Sequence, residues 1–486
     1  MTKEIRRLSI IVAFMFLALF GSTSIIQVFA AGNLASDPNN RRTLYDSYEV
    51  QRGPIIAGGD QIAASQATDD LYAFQRQYTD PLIWSGVTGY YNPAIGSATG
   101  LEQSMNQELS GLADSAFLSR IEQVVTGQDP RGSSVELSLD PAVQRAAYDA
   151  MTNAGYTGAV VAVEPDTGRL LALVSTPGFD ANQLAVHDSE QANATYQQLL
   201  EAPGNPLLNS ALDDLYSPGS TFKLVVAAAA LSSGDYTADS TFDNITSYTP
   251  PGTNQPVMNA TRGTCGGGDQ VTLATAISLS CNVPMAELAV ELGDEAIREQ
   301  AEKFGFNESF EVPLGTATSG YPSALDDAQT ALTGFGQGQV TSTPLQVALW
   351  SAAIGNDGVA MTPWMVDQIV GDDLSVQKSY APSERGRALD ADDADAITDM
   401  MVSSVAEGAA TGARIDGVDV AGKTGTAENG GDLPYTLWFT GFAPADDPEV
   451  AVAVVVEDGG GIGQNGSGNT IAAPIAKKVM EAVLAQ

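Results

Sequence analysis

Ser220-Thr221-Phe222-Lys223 puts a hydroxyl and an amine three residues apart, at the head of an apolar run from Leu224 to Leu231. A run that is apolar on every face reads as a buried helix, and residues three apart on a helix share a face. With Ser220 at its start, the Lys223 amine can approach the hydroxyl, and the free N–H groups of the first turn can stabilise a developing oxyanion. A lysine is ordinarily protonated near neutrality, but desolvation at the head of an apolar helix disfavours the charge and makes the amine a base. This is the chemistry of an activated serine nucleophile. The spacing alone is not specific, because Ser375-Val376-Gln377-Lys378 repeats it. That copy follows Gly371-Asp372-Asp373 in an alternating, strand-like stretch, where residues three apart point to opposite faces.

Two further clusters complete the set. Ser280-Cys281-Asn282 follows a predicted helix over 272–280 and supplies a hydroxyl and an amide able to relay a proton and hold a peptide carbonyl. Ser104-Met105-Asn106 and Ser467-Gly468-Asn469 share its pattern and read as a helix end or turn. Lys423-Thr424-Gly425-Thr426 lies where a predicted strand, Val418 to Ala421, runs on into Ala427 and Glu428. Gly425 permits close approach to the backbone, and Lys423 with two hydroxyls suits a carboxylate. The chain has only seven lysines, so two of them in this order, with Ser-x-Asn between, argue together what no single motif argues.

The composition removes competing classes. Twenty-two Lys and Arg stand against 59 acids, a net charge of -37, which excludes nucleic acid as a partner because phosphate neutralisation needs clustered cations. So much acid reads as a solvated, soluble surface. One histidine, His187, and two cysteines are too few for a zinc site, and no Gly-x-Ser-x-Gly elbow exists to pair with His187 in a Ser-His-Asp triad. The expected chemistry uses neither metal nor cofactor.

The elements that must position these groups begin at a membrane. No charged residue occurs from Leu8 to Ser36, and Leu8 to Ala31 as a helix is long enough for about 30 Å of hydrocarbon. Lys3, Arg6 and Arg7 precede it, so the positive-inside bias leaves residues 1–7 as a cytoplasmic tail and exports the rest. A cleavable signal ending at Val28-Phe29-Ala30 is the competing reading, although a signal's apolar stretch is shorter. Either way Cys265 and Cys281 meet an oxidising compartment, where they close a short loop as a disulfide or stay as two thiols.

A chain of 486 residues exceeds one core, so two modules are expected. Residues 32–131 show no chemical constellation and read as a non-catalytic spacer or interaction module. The turn Asp129-Pro130-Arg131-Gly132 marks the boundary, and residues 132–486 form the catalytic domain. There, strands over 135–139, 158–163, 170–175, 437–442 and 450–456, with helices over 220–232, 272–280, 284–304, 343–354, 391–406 and 471–484, give an α+β layout: a sheet built from both ends with a helical insert.

The ordered set Ser220-x-x-Lys223, Ser280-x-Asn282 and Lys423-Thr424-Gly425 resembles that of penicillin-binding proteins and class A β-lactamases. Tyr216-Ser217-Pro218-Gly219 before the nucleophile, Gly336-Gln337-Gly338-Gln339 with Thr343-Pro344-Leu345-Gln346, Trp438-Phe439-Thr440-Gly441, and Arg52-Gly53 beyond the anchor narrow the likeness. Over nearly its whole length the chain is similar to class B penicillin-binding proteins of the actinobacterial penicillin-binding protein A type. The resemblance implies a penicillin-binding/β-lactamase-like fold, an antiparallel sheet flanked by helices with an all-helical subdomain. It implies a peptidoglycan D,D-transpeptidase that acylates Ser220 with a stem peptide, releases D-alanine and passes the acyl group to an amine. Lys223 is then the base, and Ser280 passes a proton to the leaving amine. Asn282 holds the donor amide, and Lys423, Thr424, Gly425 and Thr426 form the carboxylate-binding strand. The N–H groups of Ser220 and Thr426 form the oxyanion hole. Implied partners are lipid II-derived glycan, β-lactam antibiotics and a membrane glycan polymerase of the shape, elongation, division or sporulation type. Cys281, in the middle of the second motif, departs from the usual pattern; bonded to Cys265 it stiffens the loop carrying Ser280 and Asn282. A β-lactamase, a D,D-carboxypeptidase and a non-catalytic scaffold or sensor are the alternatives. The missing deacylating Glu, the class B features and the intact motifs respectively weigh against them.

Overall fold

The computed structural model describes residues 3–26, 50–70, 72–113 and 131–486. The end of the expected anchor, the Val28-Phe29-Ala30 cleavage reading, residues 32–49, 71 and 114–130 of the spacer, and with them Asp129-Pro130, lie outside them. Lys3–Ser24 is a helix, of which Ile5–Ser24 is apolar overall, long enough to cross a membrane and not buried by any of the described residues.

The central sheet is antiparallel throughout, in the order Ala421–Ala427, Thr436–Ala443, Val450–Val456, Gly158–Val163, Leu170–Thr176. Both of its faces are covered, so the inner strands Gly158–Val163 and Val450–Val456 are continuous apolar runs, yet the twofold alternation survives in what each side chain meets. Val450, Val452, Val454 and Val456 join one core with helices Pro141–Thr152 and Ala472–Leu484. Ala451, Ala453 and Val455 join the other, which contains Phe222 and Trp350. Helix Pro344–Gly355 packs on that second face, and helix Lys223–Ser233 is buried beyond it in the helical subdomain.

A second sheet of six strands runs Val376–Ser379, Val366–Val370, Ser134–Leu137, Ile55–Ala57, Asp60–Ala67, Phe74–Tyr78. Its one parallel pair joins Ile55–Ala57 to Ser134–Leu137, so the ladder draws strands from both sides of residue 131. Against its N-terminal part lies a buried ion triad. Glu102 accepts from Arg52 Nε and Arg76 Nε, each at 2.5 Å, and is wholly buried between them.

Several expected elements differ in detail. The helix expected over 284–304 is two, Val283–Leu292 and Asp294–Lys303, broken at Gly293 with φ 79°. The strand expected over 418–421 is Ala421–Ala427, so Lys423 to Thr426 are inside it. Lys378 of the second Ser-x-x-Lys copy lies in the hairpin strand Val376–Ser379, as its alternation implies, with Ser375 just before it.

Candidate active site

Ser220 lies in a single 3₁₀ turn, Gly219–Phe222, that feeds helix Lys223–Ser233. The turn is shaped by its bed. Gly219, at φ 55°, donates its N–H to Gly336 O at 2.9 Å, and a β-carbon on Gly336 would fall 2.0 Å from Gly219 O. Trp438 Nε1 donates to Ser217 O at 3.0 Å, and Thr221 Oγ1 donates to Pro218 O at 2.7 Å. Phe222 anchors the turn among the rings of Phe306, Tyr321 and Trp350, with centroids 5.5 to 6.3 Å away. Gly425 is crowded by the same turn: a β-carbon there would lie 3.1 Å from Pro218 O and 2.9 Å from Trp438 Cβ. The glycine of the third motif therefore lets the Ser220 turn settle on the strand.

The three motifs meet at Ser280. Lys423 Nζ donates to Ser280 Oγ at 2.6 Å and to Thr424 O at 2.9 Å. Lys223 Nζ donates to Ser280 O at 2.7 Å and to Asn282 Oδ1 at 2.8 Å, and stands 3.5 Å from Ser280 Oγ. Both lysines are 0 % exposed. Burial, then the charge of Lys423, holds Lys223 well below its usual range; burial alone brings Lys423 to about 7. Both buried amines give up their protons more readily than an exposed lysine, Lys423 near neutrality. Ser220, half-buried, makes no side-chain hydrogen bond among the described residues, so Lys223 is held by the second motif rather than by the serine three residues before it.

Ser280 has φ 60°, a left-handed conformation that costs a non-glycine residue about 1–3 kcal/mol and persists only where its surroundings enforce it. Here helix Leu273–Ser278 ends with Ser280 N–H on Ile277 O and Cys281 N–H on Ala276 O, at 3.1 and 2.9 Å. Cys281 is bonded to Cys265, with Cα atoms 5.7 Å apart. Asn259, also buried, accepts from the N–H groups of Asn282 and Val283 at 2.8 and 3.0 Å, and Asn244 holds Cys265 by its N–H and O. Asn244 and Asn259 were not singled out in the sequence, where a polar, Gly- and Thr-rich stretch hides two buried asparagines. Of the remaining motif hydroxyls, Thr424 Oγ1 donates to Ala409 O at 3.1 Å, while Thr426 Oγ1 accepts from Gly468 N at 3.5 Å and stays half-buried.

His187 lies elsewhere, 2.6 Å from Asp70 and against Tyr72, a contact with the spacer. No cluster of three or more His, Cys, Asp or Glu placed to hold a metal occurs among the described residues.

Residues 158–481 match the penicillin binding protein transpeptidase domain, and residues 52–135 the penicillin binding protein A dimerisation domain. The chain belongs to the penicillin-binding protein transpeptidase family. It is 39% identical to the peptidoglycan D,D-transpeptidase PbpA of Mycolicibacterium smegmatis, over 100% of this chain and 99% of that one. To the protein of the same name from Mycobacterium tuberculosis it is 38% identical, again over 100% and 99%. Among solved structures, penicillin-binding protein A of M. tuberculosis as a ceftriaxone acyl-enzyme superposes with a TM-score of 0.87 at 38% identity, covering 90% of this chain and 100% of that one. Its penicillin G acyl-enzyme gives 0.85 at 37%, covering 89% and 99%. The penicillin-binding fold, mixed helix and sheet behind an N-terminal module and one apolar helix, is thus the one the motifs imply.

Proposed function

We propose that this protein is a membrane-anchored peptidoglycan D,D-transpeptidase that works through an acyl-enzyme on Ser220 and is inhibited by β-lactams. The observation that carries the reading is the Ser280 hydroxyl held between two buried amines, Lys423 and Lys223, beside a serine at a helix head. The relatives named as D,D-transpeptidases and the β-lactam acyl-enzymes of similar fold support it.

In this mechanism neutral Lys223 takes the Ser220 Oγ proton as Oγ attacks the carbonyl carbon of the D-Ala-D-Ala bond. The N–H groups of Ser220 and Thr426 stabilise the oxyanion. Collapse breaks the C–N bond; the leaving D-alanine amine takes the Ser280 hydroxyl proton, which the lysines replace. Lys423 and Thr426 hold the substrate's carboxylate along the strand opened by Gly425, while the Thr424 hydroxyl is taken up by Ala409 O. Asn282 Nδ2, which donates once to Met258 O at 3.1 Å, has a second hydrogen for the donor peptide. An amine of a second stem peptide attacks the ester and restores Ser220.

The apolar helix Ile5–Ser24 fits a single-pass anchor. Lys3, Arg6 and Arg7 at its N-terminal end support a body outside the cytoplasm, a compartment in which a disulfide such as Cys265–Cys281 persists. A glycan polymerase in the same membrane is the expected supplier of uncross-linked strands.

Intact-mass spectrometry of the full chain in detergent with benzylpenicillin, beside Ser220→Ala, tests the reading. A persistent adduct of one drug mass, absent from the variant, is expected. No adduct on the wild type refutes an acylated Ser220, and rapid drug turnover makes the protein a hydrolase instead.

A further inference from the structure

The 2.6 Å contact between Ser280 and Lys423 joins two elements that share no ladder. Ser280 is on a helix-end loop of the helical subdomain, and Lys423 is on the outermost strand of the central sheet. The Cys265–Cys281 bond ties the loop to its own subdomain and leaves its distance from the sheet free.

What spans the two is the segment after helix Ala391–Ala406. Arg414 fixes that helix end, its guanidinium donating to Val405 O and Ala406 O, and Gly408 N–H donates to Ser403 O and Ser404 O. Ala409 N–H then donates to Ser278 O at 2.9 Å, two residues before Ser280. Ala409 O accepts from Thr424 Oγ1 at 3.1 Å, one residue after Lys423. One alanine's backbone is bonded to the second motif on one side and the third on the other. Gly408 makes the approach possible: a β-carbon there would lie 2.3 Å from Ser278 O and 2.6 Å from Ser278 Oγ.

We propose that Gly408 and Ala409 are positioning residues, a strut that sets the gap between the Ser280 hydroxyl and the Lys423 amine and thereby the acylation rate of Ser220. The inference rests on the proposed proton-handling roles of Ser280 and Lys423. Neither strut residue touches substrate. If Ser278 O retreats, Ser280 moves with it, taking a partner from Lys423 and the Ser280 O acceptor from Lys223. Water then resolvates both amines, and their protons become harder to remove. Among the described residues, burial and then the charge of Lys423 lower Lys223, and burial lowers Lys423. Their other partners, Ser280, Asn282 and the Thr424 carbonyl, do not titrate in this range; Glu407 and Arg414, the charged residues flanking the strut, are exposed.

The test uses the full chain in detergent and benzylpenicillin, separating the non-covalent Kd from the first-order acylation rate constant across pH, with thermal melting alongside. Gly408→Ala and Thr424→Val should each lower the rate constant about ten- to a hundredfold, as misplacement on the ångström scale does, and shift the acid limb of the pH profile to higher pH. Kd should stay within about threefold, and Thr424→Ser, which keeps the donor to Ala409, should restore the rate. Wild-type rate and profile in both variants, or a Thr424→Val defect in Kd alone, overturns the strut. If Gly408→Ala does not fold, the Thr424 pair decides. Wild-type acylation by Ser280→Ala would instead refute the underlying reading of Ser280.

Discussion

Lys423 donates to the Ser280 hydroxyl at 2.6 Å, from a side chain with no exposed surface. The hydroxyl has its proton available on the side away from that amine, which suits a relay to a leaving group. Ser280→Ala removes the proposed relay without opening a large cavity. Acylation by benzylpenicillin should slow by about 10²–10⁴-fold, the range for a positioned acid or base, with the melting temperature nearly unchanged. Stopped-flow acylation with a chromogenic cephalosporin measures it.

Lys423 also leaves a signature in stability. Its folded-state value, about 7, lies below the usual 10.5, so between those limits the unfolded chain binds a proton that the folded chain does not. Stability gained from this residue therefore rises with pH across that window. Lys423→Met removes the dependence. The variant's melting temperature should exceed the wild type's most near pH 7, with the gap narrowing toward pH 10, as scanning calorimetry at several pH values would show.

The disulfide closes a loop of sequence separation 16 around the second motif. Cys265→Ser with Cys281→Ser should cost about 3 kcal/mol by the chain-entropy argument and relax the left-handed conformation of Ser280. Both a lower melting temperature and slower acylation are expected. Lost stability with unchanged acylation would separate the bond from the geometry of Ser280.

Glu102 carries a third kind of test. Burial pushes its carboxyl up, but Arg76 and Arg52 together hold it below the usual 4.5. A carboxylate lowered in this way contributes fully above its unfolded value and loses that contribution as pH falls through the folded one. Glu102→Ala strands two buried guanidinium groups and should destabilise by about 3–5 kcal/mol in chemical denaturation at pH 7. Wild-type stability in that variant would show the triad to be dispensable.

What the sequence made legible was local. The apolar run after Ser220 reads as a buried helix because burial on all faces leaves no polar stripe, and Val450 to Val456 reads as a strand for the same reason. Lys423 to Thr426 read as the end of a strand because Lys and Gly are poor strand formers in isolation; packing against Ser220's turn makes them its middle. The partner of Lys223 was less accessible still. Helical spacing points to Ser220, whereas the amine reaches Ser280 and Asn282, which come near only through tertiary structure. Ala409 and Asn259 act through backbone and buried amide contacts that carry no residue pattern.

The parallel pairing of Ile55–Ala57 with Ser134–Leu137 decides which pieces of this protein can be exchanged. A chimera cut near residue 131 would strip Ser134–Leu137 of a neighbour and bare its unpaired amides as an adhesive edge. Grafting onto a foreign anchor is safer upstream of Arg52, which is already clasped by Glu102. The transplantable cassette is therefore the whole of residues 50–486.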